Sequence, residues 1–196
     1  NKQSKERPIV IVPVAGWDTS KVHQISPTKR LLDEYAKSFS LFAQNSAENA
    51  DLILRFSSSC QRMEVLQEGS QHYFRFSPGV RITDADAFLF SHGLALPPHM
   101  PTLHVASLVG ASANGCYGPA GLLGPMTRSI IEMKVISPEG KALTLSSKEN
   151  ADLFKVFQDG HMGAAFIVTE MTMKVEPVFL MKQHHIQYKN VESLRE

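Results

Sequence analysis

Between Leu103 and Gly124 the chain runs through small and almost uncharged residues. Its centre reads Ala106-Ser107-Leu108-Val109-Gly110-Ala111-Ser112-Ala113-Asn114-Gly115-Cys116-Tyr117-Gly118. A soluble protein has two physical uses for such a run. Gly and Ala let neighbouring segments approach closely, so it can be a tightly packed core loop. Glycines also let backbone N–H groups turn inward towards an anion such as a phosphate. Ser107, Ser112 and Asn114 would add polar contacts, and a pyrophosphate could be held without a single Lys. Composition alone leaves both uses open.

Bulk composition narrows the classes. A chain of 196 residues suffices for one domain with a sizeable core, or for two small lobes sharing one. Apolar residues make up 43%, charged residues 20%, and the net charge is +1, as in ordinary globular proteins. No basic stripe or stacked-aromatic pattern points to nucleic acid. The longest apolar runs, Ile9–Val14 and Ala164–Val168, are far short of a membrane span. The first seven residues are charged, with no signal-peptide core behind them. The start at Asn1 rather than Met suggests a processed or excised piece. Cys60 and Cys116 have neither CxxC nor metal-ligand spacing, so two free thiols in a reducing, cytoplasmic setting are expected.

Along the chain, 1–7 reads as a tail. Pro8–Val14 reads as a strand buried on both faces. Ser26-Pro27 should start a helix carrying Leu31, Leu32, Tyr35, Ala36 and Phe39, and Leu41-Phe42 a short strand. Asp51–Phe56 is a strand. Met63–Leu66 and His72–Phe76 form a hairpin around Gln67–Ser70. After the turn Ser77-Pro78-Gly79, residues Ile82, Ala85, Phe88, Leu89 and His92 space as a helix, with Gly93 at its C-terminal cap. Ser129–Ser137 and Lys141–Leu145 form a hairpin about Pro138-Glu139-Gly140. Asn150–Phe157 is a short helix, and Ala164–Val175 is one long strand or two pieces. The plan is α+β, with a small helix-connected N-terminal sheet and then a mainly antiparallel sheet with flanking helices.

Several motifs are absent. No GxGxxG follows a strand, no Walker loop occurs, and no GxSxG elbow is present. His184 and His185 sit on a predicted strand and point to opposite faces. His99 and His104 lack a carboxylate or Cys at ligand spacing, so no metal site is expected. Asp84 and Asp86 suit the start of a helix, where acids favour the dipole.

The order of the remaining signals is more specific than any one of them. Phe76-Ser77-Pro78-Gly79-Val80 precedes a helix ending His92-Gly93-Leu94-Ala95-Leu96-Pro97. Ser107-Leu108-Val109-Gly110 and Asn114-Gly115-Cys116-Tyr117-Gly118 follow. Next come Ile136–Lys141, Asp152-Leu153-Phe154, and Gly163-Ala164-Ala165-Phe166-Ile167-Val168-Thr169-Glu170. This order resembles the PCMH-type FAD-binding domain of the vanillyl-alcohol oxidase flavoproteins, especially the alditol and sugar-lactone oxidases. There a GxG-V turn precedes a helix ending HGLALP. An SVxGxxATGTHG loop, a VTADG hairpin, a DLF helix and a GxxGIVTE strand come after it. The likeness runs over roughly residues 50–190.

The resemblance implies a fold, a cofactor and a site. It implies a single two-lobed domain over 8–196, with lobes of about 8–76 and 77–196, and no substrate-covering cap domain within this chain. Ser107, Leu108, Gly110 and Ala111 would lie along the flavin and its pyrophosphate. Asn114, Gly115, Tyr117 and Gly118 would continue the cradle. Ile167 and Val168 would present backbone between flavin and adenine. The implied activity is oxidation of a hydroxyl-bearing carbon of a small-molecule polyol or lactone. A C-terminal catalytic domain would lie beyond this chain, and no catalytic side chain is assigned within it.

Three departures temper that expectation. The family's G-x-G-H-S loop, whose His often bears a covalent flavin, is missing, so any FAD here is expected to be non-covalent. Ala15-Gly16-Trp17-Asp18 and Ala43-Gln44-Asn45-Ser46 are the positional candidates for that loop, and the second is preferred. The family's THG reads Cys116-Tyr117-Gly118. That places a cysteine where a redox thiol or flavin attachment is conceivable, though free Cys is more often a small buried hydrophobe. Phe166 replaces the last Gly of GxxGIVT, which would narrow or fill the adenine pocket. The competing expectation is a degenerate flavodomain that serves as a non-catalytic binding or regulatory module.

Overall fold

The computed structural model describes residues 11–15, 52–56, 61–98, 106–118, 124–137, 140–158, 166–180 and 187. Outside them lie the 1–7 tail, the helix expected after Ser26, the Leu41-Phe42 strand, and the Gly16 and Asn45 loops. Cys60, His99, His104, His184 and His185 also lie outside the described residues.

Two strands near the N-terminus, β1 (Ile11–Ala15) and β2 (Leu52–Phe56), pair in parallel from Ile11↔Leu52 to Ala15↔Phe56. A parallel pair needs a long crossover between its strands. The chain from 16 to 51 provides the length.

The larger sheet is antiparallel and six-stranded among the described residues. Strands β3 (Met63–Glu68) and β4 (Gln71–Phe76) form a hairpin, and each reaches closer to the turn than the sequence suggests. Gly69 takes φ +59° at the first of two turn positions, the pattern of a type II′ turn. Helix α1 (Ile82–Ser91) follows, and Gly93 at φ +70° ends it as expected. Next come the short β5 (Leu94–Ala95), α2 (Leu108–Ala113) and a 3-10 turn at Met126–Ser129. Strands β6 (Ile130–Ile136) and β7 (Ala142–Ser146), helix α3 (Ala151–Gln158) and β8 (Ile167–Pro177) complete the unit. The sheet order is β3-β4-β8-β6-β7, with β5 pairing the end of β8.

Period-two alternation sorts the faces of this sheet. Phe74 and Phe76 of β4 stand beside Met173 and Met171 of β8, and Met133 of β6 faces Met171. All five are buried, in one core with Ile82, Ala85 and Leu89 of α1 and with Phe154 and Phe157 of α3. The helices therefore cover one face. The other face carries an ion-pair ladder. Arg75 reaches Glu64 at 3.6 Å and Glu170 at 3.7 Å, and Lys134 Nζ stands 2.9 Å from Glu170 Oε1. Along β8 one extra residue, Thr169, forms a bulge between the Lys134↔Glu170 and Val135↔Val168 pairs. Its hydroxyl donates to the Lys134 carbonyl at 3.0 Å.

Candidate flavin-binding segment

The small-residue run folds into a helix, which its lack of an amphipathic stripe had hidden. The fold starts from the turn after β4. Val80 N–H donates to Ser77 O at 3.1 Å, closing the Ser77–Val80 turn. The chain then lies antiparallel to Ala106–Leu108: Ile82 N–H donates to Ala106 O at 2.9 Å, and Leu108 N–H to Val80 O at 3.1 Å. Two stretches of the expected motif order, Gly79-Val80 and Ser107-Leu108, are thereby brought side by side.

Ser107 caps α2 in an extended conformation (φ −74°, ψ 145°), and its Oγ accepts from Gly110 N–H at 3.0 Å. A Cβ on Gly110 would lie 2.8 Å from that oxygen, so a larger residue there would have to push the Ser107 hydroxyl aside. The far end is equally determined. Cys116 N–H donates to Ala111 O at 3.0 Å and Gly115 N–H to Ser112 O at 2.9 Å, with Gly115 at φ +61°. That pair of bonds is a Schellman motif, which needs a left-handed residue where Gly115 stands. Gly115 thus has a structural reason for its identity, whatever the segment binds.

The candidate residues divide by what their side chains do. Leu108 (0% exposed), Ala111 and Val168 are core residues and can offer a ligand only backbone. Ser112 is buried and donates to Leu108 O at 2.8 Å, so its hydroxyl serves the helix rather than a ligand. Asn114, exposed, spends one amide proton on Gly110 O at 2.8 Å. Ser107 is half-buried; its oxygen is an acceptor within the helix, and its hydroxyl proton remains to donate. Gly110, Gly115 and Gly118 are half-buried, and Tyr117 is 72% exposed. From Ser107 to Gly118, then, the exposed and half-buried positions are Ser107, Val109, Gly110 and Asn114 to Gly118. Ile167, half-buried, and Val168 belong to a different element, β8, opposite Ile136 and Val135.

Two residues flagged as departures also find places. The Phe166 ring lies in the main hydrophobic core. Cys116 packs partly buried against that core as a free thiol, and burial pushes its pKa up. A desolvated thiol holds its proton, the opposite of what a reactive thiolate needs. Among the described residues no group of His, Cys, Asp or Glu is arranged to hold a metal. No helix among them is long and apolar enough to cross a membrane.

Sequence reasoning missed the 3-10 turn Met126–Ser129 beyond Gly118. Cys116 O accepts from Met126 N–H at 3.0 Å, closing the neck of the loop between them. Thr127, fully buried, donates its hydroxyl to Gln158 O at 2.8 Å and so ties the 3-10 turn to the C-terminus of α3. The punctuation Gly124-Pro125 was the available signal.

The donor set suits the diphosphate of a dinucleotide. It is uncharged, and from Ala106 to Gly118 it contains no carboxylate to repel phosphate. Its one half-buried hydroxyl, on Ser107, accepts from Gly110 N–H and keeps its proton to donate. If FAD binds here, Ser107 and the backbone at Tyr117 and Gly118 would hold it, since the N–H groups of Gly110, Gly115 and Cys116 are already bonded within the segment.

Comparison with known proteins points to the same cofactor, at the level of the domain. The family model described as an FAD binding domain matches residues 37–146. Alditol oxidase of a Streptomyces species is 30% identical over 110 residues, 56% of this chain and 26% of that protein. D-Arabinono-1,4-lactone oxidase of Debaryomyces hansenii is 26% identical over 104 residues, 53% of this chain and 18% of that one. The chain thus spans about a quarter or less of these curated relatives. Among solved structures, wild-type BBE-like 1 of Physcomitrella patens has a TM-score of 0.63 at 18% identity, over 87% of this chain and 32% of its own. Glucooligosaccharide oxidase of Acremonium strictum has a TM-score of 0.52 at 22% identity, over 64% and 26%. These likenesses establish the α+β fold of the vanillyl-alcohol oxidase type. With a family match across more than half of its length, the chain belongs to the FAD binding domain family.

Proposed function

We propose that the segment from Ser107 to Gly118 holds the diphosphate of a non-covalent FAD, and that the chain is the cofactor domain of an oxidoreductase acting on a hydroxyl-bearing carbon of a sugar alcohol or lactone. The observation that carries the cofactor reading is the docking of the Ser77–Val80 turn against a Ser-capped, glycine-punctuated helix inside the family match. Support for the substrate class comes from two relatives, named for alditol and arabinono-lactone oxidation.

When bound, the flavin supplies two-electron redox chemistry, which no side chain can. The chain's own part is binding and orientation. Ser107 has a hydroxyl proton to donate, and the backbone past the Schellman turn, at Tyr117 and Gly118, would donate without bringing a charge; the N–H groups of Gly110 and Gly115 are already held by Ser107 Oγ and Ser112 O. Ile167 and Val168 contribute backbone at the start of β8. Phe166, with its ring in the core, is compatible with a bound adenine rather than a substitute for one. Substrate-positioning groups, in this reading, belong to a further domain of a longer protein.

Titration of purified protein with FAD tests this. Quenched flavin fluorescence with a saturable dissociation constant is the expected result. Failure to bind would leave the chain a degenerate member of its family, acting as a binding or regulatory module.

A further inference from the structure

One charged side chain is fixed at the exit of the candidate cradle. From Leu103 to Thr127 the sequence has no Lys, Arg, Asp or Glu, and Arg128 is the first to break that run. It sits in the 3-10 turn Met126–Ser129, whose other three residues are all buried. Met126 is held by the Cys116 carbonyl and Thr127 by the Gln158 carbonyl. Arg128 alone projects outward from a turn clamped on both sides.

Its direction is set by a glycine. Gly124 takes φ +78°, and a Cβ there would lie 2.8 Å from Arg128 Nε and 2.9 Å from Cζ. The guanidinium therefore folds back over the bare backbone of Gly124. No carboxylate among the described residues pairs with it. A cation held on a rigid turn without an acidic partner is suited to an anionic ligand, and guanidinium matches phosphate geometry.

We infer that Arg128 supplies the positive charge for the diphosphate of the dinucleotide, complementing a cradle that otherwise offers only neutral donors. This rests on the FAD reading above. Gly124 acts as a positioning residue: it leaves the space in which the guanidinium lies.

The test measures FAD affinity by fluorescence quenching at several salt concentrations, with thermal melts as a folding control. Arg128→Gln should weaken FAD roughly ten- to a hundredfold, the range expected for lost charge-assisted hydrogen bonds. It should also flatten the salt dependence without lowering the melting temperature. Arg128→Lys should recover part of the affinity and the salt slope. Gly124→Ala keeps the charge but displaces it, and should weaken binding in the same direction. If wild type binds FAD and Arg128→Gln binds equally well with an unchanged salt slope, the inference is overturned while the FAD reading stands. If wild type does not bind FAD, both fall.

Discussion

The core between the sheet and its helices and the segment from Ser107 to Gly118 are built on opposite principles. The core fills space with large apolar groups: Phe74, Phe76, Met171 and Met173 from adjacent strands, with Leu89 and Phe157 from the helices. Its specificity lies in side-chain shape. The cradle has little side-chain volume, and its shape is fixed by backbone hydrogen bonds, one Ser cap and a Schellman turn. Substitutions in the first region should therefore show in stability, and those in the second in what the surface can bind.

Phe74→Ala should have the largest effect. Removing a fully buried ring stacked 4.9 Å from Phe76 should cost about 3–5 kcal/mol, read as a lower denaturation midpoint. A loss below about 1 kcal/mol would mean that the core is not packed as described. Thr127→Val keeps the shape but leaves the Gln158 carbonyl without its donor. It should cost about 1–3 kcal/mol in chemical denaturation. Ser107→Ala sharpens the contrast between the regions. Its stability cost should be about 1 kcal/mol, the value of an N-cap, yet FAD affinity should fall more steeply than that loss accounts for. Equal changes in both would make Ser107 a cap and nothing more. Lys134→Met removes one arm of the ladder on the outer sheet face. Because Lys134 is itself half-exposed and Glu170 keeps Arg75, it should change stability by less than about 1 kcal/mol.

Cys116 gives a pH-dependent check on the same boundary. Burial raises its pKa, so the native state keeps the thiol proton at pH values where the unfolded chain has released it. The unfolded state then binds fewer protons, and this contribution to stability falls as pH rises through the alkaline thiol range. Alkylation of Cys116 in the native protein should accordingly lag behind an unfolded control at mildly alkaline pH. Equal rates would place the thiol in an open, activating environment.

How much was legible in the sequence follows the same division. Large residues at period two or near 3.6 announced β3, β4, α1, β6 and α3, and glycines at positions 69, 93 and 140 marked turns that require positive φ. Helix α2 was not legible, because Ala, Ser and Gly trace no apolar stripe. Its signal was local: Ser107 as cap and Gly115 as terminator, eight residues apart. The roles of Ser112 and Asn114 were also hidden, since donation to the carbonyl four residues back looks, in sequence, like availability to a ligand. The sequence set Phe166 in place of a glycine, and the fold packs it against the main core. Gly124 and Arg128 carried no pattern, because their relation depends on a loop closed by the Cys116–Met126 bond.

The central claim is that the neutral, glycine-punctuated surface from Ser107 to Gly118 holds a dinucleotide by its diphosphate. The most direct measurement compares FAD with riboflavin, which has the same ring system and no phosphate, in fluorescence titrations of the purified chain. Saturable FAD binding, much tighter than riboflavin and weakened by Ser107→Ala, is the predicted result. Equal affinity for the two, or none for either, would contradict it.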